Sequence, residues 1–228
     1  MKILASFLRA FQRDSRGNII MEAVIFLPAM IFTYIGLSIA WDGYRATNLA
    51  QKATYTVADI ISRETGVMRQ TLMINYLKAL GFAAEVPTAI TSATMANAPV
   101  ALRITSVLFD EADTVGGADQ VTLQFSITSS TTQLPAHTAT SLQAIKNRIP
   151  ALQEGDNIII VESRLKWTPS VSAEDATDYV NSNNNRSATS DNAAWFVTRN
   201  IETFTTVRPR FVPRLCWQVG ITTSTCEL

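Results

Sequence analysis

The fold turns on one stretch, "RDSRGNIIMEAVIFLPAMIFTYIGLSIA", residues 13 to 40. It begins basic and becomes apolar at Ile19. Ala23 to Ala40 then runs eighteen residues without a charge. A helix rising about 1.5 Å per residue crosses a ~30 Å hydrocarbon layer in roughly 20 residues. The run therefore predicts one membrane span over residues 18–40. The positive head places the N-terminus in the cytoplasm and the chain after Trp41 on the outer side. Two residues do not fit an ordinary anchor. Glu22 puts a carboxylate inside the apolar run, and Gly17 stands alone at its border.

Three readings of the span compete. A cleaved secretory signal carries a shorter apolar core and a small-x-small site, which Ser38-Ile39-Ala40 could imitate. A plain signal anchor accounts for length but for neither Gly17 nor Glu22. The third is a signal cut on its cytoplasmic side after Gly17, with the apolar helix retained. In that case cleavage exposes an α-amino group on Asn18. Positions 18 and 22 are one helical turn apart, so amine and carboxylate share a face. The same carboxylate could instead meet the amine of a neighbouring copy. A charge within a membrane is costly unless paired, and such residues are usually functional. The bland alternative is Glu22 snorkelling at the interface beside Arg16.

Composition bounds the rest. The 228 residues suit one ordinary domain plus an extension. Basic and acidic residues balance at 19 each, so no overall field points to nucleic acid. The balance is local, however. Lys2, Arg9, Arg13 and Arg16 face only Asp14 in the first seventeen residues, which reads as a topology signal more than as part of a folded body.

Beyond the span, Ala46, Leu49, Ala50, Ala53, Val57, Ile60 and Ile61 recur at three and four spacing without proline. One helix is expected to continue out of the membrane, with Trp41 and Tyr44 as interfacial anchors; a break at Gly43 is the alternative. A second helix is expected over Met68 to Leu80, ending at Gly81. After Pro87 the texture becomes β-rich: "VALRITSVLF", "QVTLQFSIT", "NIIIVESRLKW", "WFVTRNIETFTTV" and "LCWQVGI" read as strands. Gly116-Gly117 suggests a hairpin connection between the first two. A short helix is expected over Leu142 to Ile149. Residues 170–194 are polar and read as an exposed loop. The fold class is α+β: a long N-terminal transmembrane and amphipathic helix packed on an antiparallel β-sheet head.

At this point the residues reach a family. "RGNIIMEAVIFLP" resembles the signal of type IV pilin-like proteins, and most closely the TadE-like minor pseudopilins of tight-adherence (Tad/Flp, type IVc) systems. The main filament pilin of such systems is smaller and carries tyrosine after the glutamate, where this chain has Ala23. "EGDNIIIVESRLKWTP", residues 154–169, and "TFTTVRPRFVPR", residues 203–214, resemble the head strand and closing segment of TadE-like domains. The resemblance implies a leader of residues 1–17 with Arg13 and Arg16 as its charges. A prepilin peptidase would cut between Gly17 and Asn18. It further implies a span at 18–40 with a bend at Pro28, a helical stalk at 41–86 and a β-rich head at 87–228. Glu22 is then an assembly residue. The expected partners are other pilin or pseudopilin subunits and an inner-membrane assembly platform, with the head in the periplasm and the mature form in a pilus that serves adhesion. The opposing reading is a permanently anchored periplasmic binding domain with no pilus role.

Cys216 and Cys226 are the only cysteines. On the outer side of a membrane they suggest one disulfide closing a small loop, with two free buried thiols as the alternative. No cofactor, metal, nucleic acid or small-molecule substrate is expected. The single histidine, His137, reads as a surface loop residue with no catalytic role, and no nucleophile or phosphate-loop motif accompanies it. Asp110, Glu111, Asp113 and Asp119 flank the hairpin turn at spacings unlike a calcium loop. Arg208, Arg210 and Arg214 alternate with prolines and could meet acidic subunits or lipid headgroups.

Overall fold

A computed structural model describes residues 16–65, 67–86, 90–110, 120–150, 153–169, 198–219 and 223–224. Helix α1 covers Arg16–Ser62 with Pro28 inside it, so helical bonding is unbroken at Gly43. Contacts divide the chain into two compact units, Met1–Tyr44 and Arg45–Leu228.

In the second unit, β1 (Val67–Met68) leads into α2 (Gln70–Ala83). Four antiparallel strands follow, β2 (Val100–Asp110), β3 (Gln120–Thr128), β4 (Asn157–Trp167) and β5 (Arg199–Val207), in spatial order β3-β2-β4-β5. A small helix, α3 (Ala139–Ile145), stands between β3 and β4 and runs on into a 3-10 turn at Lys146–Arg148. Near the end, β6 (Cys216–Val219) pairs in parallel with β1 and antiparallel with β7 (Thr223–Ser224), making a separate three-stranded sheet.

Strand alternation gives the four-stranded sheet two working faces. Leu102, Ile104, Ile159, Val161 and Leu165 point to one, where they pack with Ala50, Ala53, Val57, Ala58 and Ile61 of α1 and with Met73, Leu77 and Leu80 of α2. Val107, Ile158 and Ile160 point to the other and are covered by Leu142, Ile145 and Ile149 around α3. In β3 this division is maintained by a bulge. Ser106 pairs with Phe125 but Val107 pairs with Leu123, so Gln124 is the extra residue. Phe125 and Ile127 therefore join the first core, while Val121 and Leu123 join the second. A one-residue shift moves every later side chain across the sheet.

The expected helix over Met68 to Leu80 is displaced. Met68 belongs to β1, and α2 runs through Gly81 to Ala83. Gly81 is a packing glycine: a Cβ there would lie 3.5 Å from Ile90 Cδ1 and 3.7 Å from Val100 Cγ2. The helix stops instead at Glu85, whose φ is 57°. Val86 N–H donates to Gly81 O at 2.9 Å and Glu85 N–H to Phe82 O at 3.1 Å. These bonds form a left-handed helix stop of the kind usually made by glycine. Arg45 holds the Glu85 side chain at 2.5 Å. The third helix begins earlier than expected, at Ala139, because Thr138 and Ser141 form a reciprocal capping box.

The strands expected at "VALRITSVLF", "QVTLQFSIT" and "NIIIVESRLKW" are β2, β3 and β4. The second unit begins at Arg45, and the Arg45–Ser62 part of α1 shares a core with α2 and the sheet. The Gly116-Gly117 turn, Glu111, Asp113, Asp119 and the polar stretch 170–194 lie outside the described residues.

Candidate membrane segment and polar network

From Val24 to Tyr34 the helix exposes apolar side chains in every direction, and beyond it Ile35 is half-buried and Ile39 buried. Val24, Ile25, Phe26, Leu27, Met30, Ile31, Leu37 and Trp41 all stand out, with Phe32 74% and Tyr34 75% exposed. A helix apolar all round is buried in a core or in lipid. The described helix is long and apolar enough to cross a membrane. Its hydroxyls bond their own backbone: Thr33 donates to Ala29 O and Ser38 to Ile35 O, each at 2.8 Å. That removes two donors a hydrocarbon environment could not satisfy. Trp41 and Tyr44 sit with ring centroids 6.3 Å apart at the polar end of the segment.

The residues predicted to act here fall on this one helix. Gly17 and Asn18 lie within α1, which begins at Arg16. Glu22 is one turn beyond Asn18 and is exposed. Pro28 lies in the helix, where it donates no N–H to the carbonyl four residues back. Ser38-Ile39-Ala40 is helical. Arg13 lies outside the described residues, as does Cys226, the expected partner of Cys216 at the start of β6.

The second unit holds a polar cluster that sequence reasoning missed. Arg103 and Glu162 are direct cross-strand partners on β2 and β4. Arg103 Nε donates to Glu162 Oε2 at 2.6 Å, and its Nη1 donates to the Pro135 carbonyl. His137 Nε2 lies 2.9 Å from the same carboxylate oxygen, and its Nδ1 lies 3.0 Å from Ser141 Oγ. The side chains are 11%, 9% and 7% exposed for Arg103, Glu162 and His137. His137, expected on a loop surface, is thus nearly buried. Burial, reinforced by the Arg103 charge, lowers its pKa below the imidazole value against the opposing pull of Glu162. The signal that could have found the group is the alternation of β2 and β4, which puts Arg103 and Glu162 on the face they share with Val107, Ile158 and Ile160.

Chemically the cluster is a clamp. Ser141, His137 and Glu162 stand in the order of a hydrolytic relay, but the serine hydroxyl is committed to the α3 cap. It accepts from Thr138 N–H at 2.9 Å and donates to Thr138 O at 3.1 Å. His137 N–H in turn donates to Ser126 Oγ at 2.8 Å. The cluster thereby fixes the entry of α3 to β2, β3 and β4. On the opposite face Thr54, Ser163 and Thr203 place their hydroxyl oxygens 2.7 Å from one another, joining α1 to β4 and β5.

Two of the three closing arginines form ion pairs inside the second unit. Arg210 meets Asp59 at 2.6 Å and Arg208 meets Asp156 at 2.9 Å. Among the described residues no group of three or more His, Cys, Asp or Glu could hold a metal ion.

No family model, curated protein or solved structure matches the chain.

Proposed function

We propose that this chain is the precursor of a TadE-like minor pseudopilin that takes part in assembling or capping a type IVc (Tad/Flp) pilus used for surface adhesion. In this reading it is a non-enzymatic subunit, held in the inner membrane by residues 18–40 with its head in the periplasm. A prepilin peptidase removes residues 1–17. Glu22 then pairs with the new amine of Asn18, on its own helix or on a neighbouring subunit, and sets the register of packing. Cys216 and Cys226 close the C-terminal loop as a disulfide.

One observation carries the reading. The helix is apolar and exposed on all sides from Val24 to Tyr34, and a carboxylate stands at its start, one turn from Asn18. A plain anchor needs the apolar surface but has no use for Glu22. A subunit that packs against copies and companions uses both.

Mass spectrometry of the protein from its native membrane tests the cut. An N-terminus at Asn18 supports the proposal. One at Trp41 indicates a secreted domain, and an intact Met1 indicates a permanently anchored domain with no pilus role. Glu22→Ala is expected to leave cleavage intact and to reduce incorporation into filaments. Normal piliation in that variant would remove the pairing mechanism.

A further inference from the structure

The face of the sheet that carries α3 is divided. Under α3 it is apolar, built from Val107, Ile158, Ile160 and their neighbours. Toward the opposite end of β4 it turns polar, with Arg164 and Lys166 continuing the alternation of Ile158, Ile160 and Glu162. The apolar cluster around α3 does not extend to that end, where the 3-10 turn Met95–Asn97 contributes Asn97. A cavity of about 520 Å³ opens there, lined in part by Asn97, Thr132, Gln133, Arg164, Lys166 and Asn200. Its size lies in the range of ligand sites.

The guanidinium in the cavity wall is held in place. Arg164 Nη1 donates to the Gln133 carbonyl. The Gln133 amide nitrogen donates to Ala98 O at 3.0 Å, which ties the connecting segment to the start of β2. The charge of Arg164 is poorly compensated, however. Its cross-strand partner Glu202 lies 3.7 Å from Nε and is 65% exposed. Nε itself is buried and makes no hydrogen bond. Lys166, two residues on, is exposed and enters no ion pair among the described residues. The wall therefore offers two cations against one loosely held carboxylate. Around them stand the side-chain amides of Asn97, Gln133 and Asn200 and the Thr132 hydroxyl.

We propose that this cavity binds an acidic saccharide unit, with its carboxylate on Arg164 and Lys166 and its ring hydroxyls on the amides of Asn97 and Asn200. A fixed guanidinium suits a planar carboxylate better than a mobile cation does. Amide side chains can both donate to and accept from hydroxyls, which a bare inorganic anion would leave unused. The inference does not depend on cleavage or filament assembly.

Calorimetric titration of the full chain in detergent micelles, at low salt, tests it with tri-galacturonate as the probe. Galactotriose and inorganic phosphate serve as comparisons. Tri-galacturonate is expected to bind, and galactotriose and phosphate to bind far more weakly. Lys166→Gln and Asn200→Ala, both at exposed positions, should each weaken tri-galacturonate by about tenfold, the loss of one good polar contact. Their thermal melting should match that of the parent chain. Absence of tri-galacturonate binding would overturn the proposal, as would equal binding of galactotriose. Phosphate binding as tight as tri-galacturonate would reduce the cavity to a simple anion site and overturn it as well. Unchanged affinity in both variants would place any binding elsewhere.

Discussion

Two parts of one helix, residues 24–44 and 45–62, use apolar side chains in opposite ways. The first part has the larger ones, and they are exposed: Phe26, Ile31, Phe32, Tyr34 and Leu37. The second part has mostly small ones on its inner stripe, and they are buried: Ala50, Ala53, Val57 and Ala58. The first part is the more apolar, with Asp42 its one charge against Arg45, Lys52 and Asp59 in the second. The two also differ in distribution around the axis. A one-sided stripe of alanine and valine lets a helix approach a sheet closely, and polar residues such as Lys52 and Tyr55 remain outside. An all-round coat of bulky side chains suits lipid or other helices. Thr54 shows the same contrast. Its hydroxyl bonds Ala50 O, as Thr33 bonds Ala29 O, but it also reaches Ser163 and Thr203 across the core.

The sharpest way to test what holds the second part's unit together is to break its buried charge pair. Glu162→Ala leaves Arg103 buried without its carboxylate, and the loss of unfolding free energy is expected to be about 3–5 kcal/mol. Chemical denaturation of the full chain in detergent measures it. A loss under about 1 kcal/mol would show the pair to be solvated like a surface bridge.

A second pair of variants bears directly on the two halves of the helix. Ile61→Ala removes a fully buried side chain and should cost about 2–5 kcal/mol of head stability. Phe32→Ala, at an exposed position, should leave the head's melting unchanged and weaken retention in membrane pellets washed with carbonate. Equal destabilisation by both would abolish the distinction between the two parts of the helix.

The smallest effect concerns acid. His137 is surrounded by Arg103, Glu162 and Ser141, and its pKa is lowered from the ordinary 6.5, first by burial and then by the Arg103 charge. A lowered pKa means that the folded state favours the neutral ring. Its contribution to stability is complete above the unfolded value and is lost as pH falls from there through the lower, folded value. His137→Gln should flatten that part of the stability profile while leaving the profile above pH 7 parallel to the parent. An unchanged slope below pH 6.5 in the variant would assign the acid sensitivity to other groups.

Much of this architecture was legible before any coordinates. Continuous apolar length marked the span, three-and-four spacing marked the inner stripe of α1, and alternation marked β2, β3 and β4. What escaped were events that depend on residues far apart in the chain. Gly81 reads as a helix stop, but Ile90 and Val100 come close to its face, and Glu85 makes the turn. The bulge at Gln124 follows from how β3 must divide its side chains between two cores. His137 reads as a loop residue because nothing near it in sequence shows that Glu162 and Arg103 will enclose it.

The chain's own order of residues determined that there is a membrane-length apolar helix, that a carboxylate stands near its start one turn from Asn18, and that β-rich segments follow. These are properties of local spacing, which the backbone periods of helix and strand convert directly into faces. Only the tertiary structure decided which cations are neutralised and which are left available. Arg103, Arg208 and Arg210 meet carboxylates within 3 Å, whereas in the open cavity Arg164 has only Glu202 at 3.7 Å and Lys166 has no ion pair among the described residues. Charge compensation acts through space over a few ångströms, and the distance along the chain carries no information about it.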